Sequence, residues 1–106
     1  MNSTEAIIAA FKKWHPEAVR RAIRANFKCE YCDRDLLVSL EDYKTLDEDH
    51  IIPTCAGGSV DGSNIAVACF MCNRILKQKW DPRTVCGNDL SREHLISAVR
   101  SYYRCC

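Results

Sequence analysis

Four of the eight cysteines in this 106-residue chain fall into two pairs, Cys29-Glu-Tyr-Cys32 and Cys69-Phe-Met-Cys72. A two-residue gap lets both thiolates of a pair turn toward one tetrahedral ion at about 2.3 Å, and two such pairs supply the four ligands of a closed structural zinc site. The stretch between them, residues 33–68, exceeds the roughly 15–20 residues of a compact zinc ribbon and so carries an insertion. A redox Cys-x-x-Cys is the other reading of either pair, but no βαβ pattern surrounds them. Inside the bracket lie Asp49-His50-Ile51-Ile52-Pro53, Gly57-Gly58 and Asn64, and Asn73 directly follows the second pair. Cys55 and Cys86 read as small buried or loop thiols, and Cys105 and Cys106 as a frayed, oxidation-prone terminus.

These residues need elements to position them. Ile7, Ile8, Phe11 and Trp14 recur at helical spacing after Ser3 or Thr4, which predicts a first helix. Pro16 reads as the first position of a second helix with Val19, Ile23 and Phe27 along its apolar stripe. Residues 33–44 fit a helix through Leu36, Leu40 and Tyr43, or a strand through Leu36, Val38 and Leu40. Thr45 to Ile52 is a short candidate strand, ended by Pro53 and a glycine-rich loop. Ser63 or Asn64 is then placed to cap a helix running to about Lys79, with Ile65, Cys69, Cys72 and Leu76 along one side and Asp81-Pro82 as its stop. A final helix from Ser91 points Leu95, Ile96, Val99, Tyr102 and Tyr103 inward. The expected organisation is a single domain over 1–106, with a helical basic N-terminal arm at 1–28, a zinc-bracketed core at 29–79 and a C-terminal helix at 80–106.

Composition excludes several classes. Fifteen Lys and Arg against 14 Asp and Glu leave a formal charge of +1, so the overall balance names no partner. No stretch approaches the 18 or so apolar residues of a membrane span, and Ala6–Ala10 behind Glu5 lacks the basic region of a secretory signal. A cytoplasmic, reducing setting follows as the expectation, in which paired cysteines are metal ligands rather than disulfides. The charge is unevenly spread. Lys12, Lys13, Arg20, Arg21, Arg24 and Lys28 crowd the N-terminal arm, acids dominate residues 30–49, and Arg74, Lys77, Lys79 and Arg83 follow Asn73. Such basic clusters suit phosphate contacts that position DNA without reading its sequence, and a solvated helix face is their plain alternative.

From Cys29 to about Lys79, roughly half the chain, the ordered string Asp-His-x-x-Pro, Gly-Gly, Asn and Cys-x-x-Cys-Asn resembles the HNH endonuclease family, in its HNN variant with His50, Asn64 and Asn73. The resemblance implies an α+β fold, a small ββα-metal core with flanking N- and C-terminal helices, stapled by a four-cysteine zinc site. It implies a metal-dependent DNA endonuclease, bacterial, archaeal or phage-encoded, that leaves 5′-phosphate and 3′-hydroxyl ends. One active site cuts one strand, so a monomer nicks and a homodimer breaks both.

Each residue has a chemical reason to be there. Phosphodiester hydrolysis needs an activated water, neutralisation of the phosphate oxygens and stabilisation of the departing alkoxide. An imidazole titrates near neutrality and suits the first task, which falls to His50. Asp49 and Asn73 offer oxygen ligands, which favour Mg²⁺ or Mn²⁺ over Zn²⁺ for the catalytic ion. Glu48 is an alternative ligand. Asn64 carries over from the family as the brace of the catalytic loop, and from the residues alone it reads equally well as a helix cap. Arg20, Arg21, Arg24, Arg74 and Lys77 are the candidate DNA contacts, while His15 and His94 read as incidental surface residues. The rival from another class is a non-catalytic zinc module that binds nucleic acid or protein. Strand alternation sends neighbours to opposite faces, so Asp49 and His50 can serve one phosphate only if the strand bends or ends there.

Overall fold

In the computed structural model, which describes residues 5, 6, 9, 10 and 13–104, the chemistry-bearing segment is a two-stranded antiparallel sheet backed by short helices. Helix α1 spans Pro16–Arg24, α2 Leu40–Lys44, strand β1 Leu46–His50, strand β2 Ile65–Cys69, α3 Met71–Lys77, α4 Arg83–Cys86 and α5 Arg92–Arg104. Two 3₁₀ turns, Thr54–Ala56 and Gly62–Asn64, lie in the loop between the strands. The order β1, β2, α3 is the ββα core of an α+β fold. The first expected helix is only partly described: Glu5, Ala6, Ala9 and Ala10 are helical, whereas Ser3, Thr4, Ile7, Ile8 and Phe11 lie outside the described residues, as do Lys12, Cys105 and Cys106.

Local chemistry accounts for the helix boundaries. Pro16 opens α1, the imidazole Nδ1 of His15 accepts the Glu17 amide at 3.2 Å, and Arg21 and Arg24 sit in the last turn where the helix dipole favours cations. His15 is therefore a cap. The inward residue of α1 is Ala22, and Ile23 is 57% exposed, so the expected Val19–Ile23–Phe27 stripe is not the packed face. Phe27 lies beyond the helix end. Residues 33–44 resolve into a turn and the short helix α2, whose cap Ser39 accepts the Asp42 amide at 3.2 Å. Ser91 opens α5, accepting the His94 amide at 3.3 Å, and Leu95 and Val99 are its buried residues.

The largest departure from expectation concerns residues 65–69, which form β2 rather than the start of a helix reaching Lys79. Ile-Ala-Val-Ala-Cys is a short apolar run buried on both faces, a pattern that periodicity does not separate from a buried helix. Tertiary pairing decides it. β1 and β2 align with Leu46 opposite Cys69, Glu48 opposite Val67 and His50 opposite Ile65. The other edge of β2 is covered by the first cysteine pair: the Glu30 amide donates to the Val67 carbonyl at 2.8 Å, and the Glu30 carboxylate accepts the Val67 amide at 2.7 Å. Every polar group on that edge residue is thereby satisfied.

The core gathers Cys29, Tyr31, Leu36, Ile51, Ala66, Val67, Ala68, Cys69, Cys72, Cys86, Leu95 and Val99. Helix α5 closes it and grips both cysteine pairs. Arg100 donates to the Glu30 carbonyl and forks onto Asp33 at 3.0 and 2.9 Å, Arg92 donates to the Glu30 carboxylate at 2.8 Å, and the Tyr103 hydroxyl donates to the Cys72 carbonyl at 2.9 Å.

Candidate active site and metal centre

The four thiols of Cys29, Cys32, Cys69 and Cys72 converge, with all ligand atoms within 4.8 Å of one another. Cys32 Sγ lies 3.8 Å from Cys69 Sγ, about the edge of a tetrahedron with metal–sulfur bonds of 2.3 Å. Three of the four cysteines are buried, and Cys32 is exposed. Packed this closely, the thiols share charge: a hydrogen bond with Cys72 draws the Cys29 pKa down to about 5, burial holds that of Cys32 up at about 11, and the same Cys29 bond pushes Cys72 well up. One tetrahedral cation would satisfy all four donors as thiolates, so the donor set fits a metal such as zinc.

Beside this cluster, β1 distributes its acids to two sides. Glu48 faces α1, where Arg21 pairs with it through Nε and through Nη2 at 3.0 Å. Asp47 and Asp49 face α3. Asp47 Oδ2 accepts the side-chain amide Nδ2 of Asn73 at 2.8 Å and Arg74 Nε at 3.1 Å. This leaves Oδ1 as the uncommitted end of Asn73 among the described residues. Asp49 is 7% exposed; its Oδ2 accepts the Tyr31 hydroxyl at 2.7 Å and the Lys77 ammonium at 3.0 Å. Burial, reinforced by the Asp49 charge, holds the Tyr31 phenol well above its ordinary pKa and keeps it a donor.

β1 ends at His50. Asp49 and His50 both line one cleft of about 170 Å³, together with Glu48, Pro53, Thr54, Cys55, Asn73 and Lys79. The half-buried His50 imidazole makes no hydrogen bond to any described residue. The loop that follows it is tied to Asn64, which is 8% exposed. Asn64 Oδ1 accepts the Ile52 amide at 2.9 Å, its Nδ2 donates to the carbonyls of Ile52 at 2.9 Å and Ser59 at 2.7 Å, and its backbone carbonyl accepts the Ile51 amide at 2.8 Å. Two glycines of the loop, Gly57 and Gly58, are dictated by backbone. Gly57 adopts φ +89°, and a Cβ on Gly58 would sit 1.8 Å from the Ile52 carbonyl oxygen.

His50, Asp49 and Asn73 are thus brought together, and Asn64 stands behind the loop rather than in the cleft. The candidate DNA contacts are not brought together. Lys77 is 1% exposed and directed inward between Asp49 and the His50 carbonyl, so it does not lie on a substrate-facing surface. Its inward turn follows from α3 being wound with the wide i→i+5 hydrogen bonding of a π-helix, which displaces the faces that a 3.6-residue period assigns. Arg21 is consumed by Glu48, and Arg24 braces the loop by donating to the carbonyls of Gly62 at 3.2 Å and Ile65 at 2.7 Å. Arg20 is exposed and paired with Glu17. Arg74 keeps 63% of its side chain exposed, over the Phe70 ring at 5.5 Å. Sequence reasoning passed over Asp47 and Tyr31. The signal for Asp47 was its two-residue spacing from Asp49, which puts both on one strand face; Tyr31 carried none.

A family model described as HNH endonuclease matches residues 29–87, from the first cysteine of the bracket to the glycine that ends α4. No curated protein and no solved structure matches.

Proposed function

The chain belongs to the HNH endonuclease family, and from that membership we propose that it is a metal-dependent DNA endonuclease that nicks one strand per active site and leaves 5′-phosphate and 3′-hydroxyl ends. The observation that carries the reading is the convergence of His50, Asp49 and Asn73, from the end of β1 and from α3, on one polar cleft. The four cysteines hold structural Zn²⁺. Asp49 and Asn73 would hold Mg²⁺ or Mn²⁺, each having one side-chain oxygen that no described residue engages. An ion held there would supply charge neutralisation on the scissile phosphate and stabilisation of the departing alkoxide.

The chain's own groups do the rest. His50, which makes no hydrogen bond to any described residue, takes a proton from the attacking water as the phosphorus–O3′ bond breaks. Asn64 holds the backbone at Ile51 and Ile52 and so fixes the imidazole that precedes them. Of the cations, Lys79 lines the cleft and Arg74 stands beside it, while Arg20 is exposed on α1 in a pair with Glu17. A homodimer would cut both strands.

One observation favours a second reading, a non-catalytic zinc module for nucleic acid or protein: the charge of Asp49 is already matched by Lys77, as in a purely structural pair. Nicking of supercoiled plasmid in Mg²⁺, Mn²⁺ or Zn²⁺ separates the two. His50→Ala should lower the nicking rate by about 10²–10⁴ while keeping zinc content and circular dichroism. Unchanged cleavage in that variant overturns the mechanism. Activity in Zn²⁺ alone, not raised by Mg²⁺ or Mn²⁺, counts against oxygen ligation by Asp49 and Asn73.

A further inference from the structure

A lysine buried to 1% exposure must find a counter-charge, because an unpaired ammonium in the interior is prohibitively costly. Lys77 finds it in Asp49, 3.0 Å away across the α3–β1 junction, and spends a further donor on the His50 carbonyl at 3.2 Å. Tyr31, 3% exposed and set between Cys29 and Cys32, brings its hydroxyl to the same carboxylate oxygen at 2.7 Å. Asp49 Oδ2 thus receives two donors from two different elements, one rooted in the cysteine bracket and one in α3. A carboxylate pinned by one oxygen cannot rotate, and it presents the other in a fixed direction.

We infer that Tyr31 and Lys77 are positioning residues that lock Asp49 with Oδ1 free for the catalytic ion, and that Lys77 serves inside the site rather than on DNA. The inference rests on the endonuclease reading above. It also links the two metal sites: Tyr31 ties Asp49 to the first cysteine pair, as Asn73 is tied to the second by following Cys72. Hydrogen-bond partners that orient metal ligands change metal affinity or activity by about 10–100-fold when removed.

The test uses the full chain with its structural metal. Tyr31→Phe removes one hydroxyl and keeps the ring that packs edge-on against Tyr103 at 6.5 Å; Lys77→Met removes the charge and keeps the stem. Each variant is compared with the parent in Mn²⁺ binding followed by electron paramagnetic resonance, in nicking rate against Mn²⁺ concentration, and in DNA affinity against salt without divalent ions. At sub-saturating Mn²⁺, Tyr31→Phe should nick about 10–100-fold more slowly, with altered Mn²⁺ binding, while metal-free DNA affinity and its salt slope stay at the parent values for both variants. Nicking and Mn²⁺ binding of Tyr31→Phe within two-fold of the parent overturn the inference, and this arm stands even if Lys77→Met does not fold. Loss of DNA affinity in folded Lys77→Met, with a salt slope smaller by about 0.9, overturns it by making Lys77 a phosphate contact. A parent that neither nicks nor binds Mn²⁺ overturns the endonuclease reading itself, and this inference with it.

Discussion

Strands β1 and β2 are paired over their full five-residue length and are opposite in character. Leu-Asp-Glu-Asp-His carries three acids and the cleft histidine, whereas Ile-Ala-Val-Ala-Cys is buried from Ala66 to Cys69 and ends in a thiol of the four-cysteine cluster. Asp and Glu are poor strand residues in isolation, because strand preference reflects packing against neighbours more than the backbone itself. β1 is held as a strand by two things that it does not itself contain: the apolar ladder of β2, and one basic side chain for each acid, Arg74 for Asp47, Arg21 for Glu48 and Lys77 for Asp49. The division lets one strand supply stability so that its partner can supply charge.

Breaking the supporting strand should do the most damage. Cys69→Ser removes a thiol from the end of β2 and from the metal cluster together; zinc content should fall well below one per chain and the cooperative unfolding transition should vanish, since structural zinc contributes roughly 10–16 kcal/mol of apparent binding energy in small domains. Zinc analysis and thermal denaturation check this, and a folded, metal-replete variant would contradict it. Val67→Ala attacks the same strand without touching the metal. Val67 is 1% exposed, so the change should cost about 2 kcal/mol in urea denaturation while nicking per folded molecule stays at the parent rate. On the acidic strand the stability effect should be smallest. Glu48→Gln loosens a half-buried pair with Arg21 and should cost about 1 kcal/mol or less, with the difference shrinking in high salt. A fall in nicking beyond that change would make Glu48 a metal ligand and blur the contrast between the strands.

Much of the site was legible in residue order. The two cysteine pairs announce a four-thiol cluster because a two-residue gap leaves the thiols few other uses, and the thiols do converge. Pro16 marks its helix start, since φ is preset and the missing amide has no partner to lose. Gly58 could be flagged as loop, but the reason no other residue fits, its contact with the Ile52 carbonyl, belongs to the folded loop. Residues 65–69 were illegible as a strand because burial on both faces erases the alternation that identifies one. Ile23 and Lys77 escape a sequence reading for different reasons: a helical period tells which residues share a face but not which face meets the core, and at Lys77 the π-helical winding shifts the faces themselves.

α5 illustrates the remaining gap. Its start at Ser91 and its buried Leu95 and Val99 follow from a cap and a regular apolar period, yet nothing in that period announces that Arg92, Arg100 and Tyr103 clamp both cysteine pairs from outside the matched family segment. By itself, then, the sequence determined the ligand types, their pairing by short spacing and the order of the motif residues, because these depend on covalent neighbours. Only the tertiary structure decided which acid Arg21, Arg74 and Lys77 each serve, which oxygen of Asp49 has no hydrogen bond among the described residues and that Lys77 points inward. Those outcomes depend on where the chain's separate segments meet, and a buried charge settles on whichever counter-charge that meeting provides.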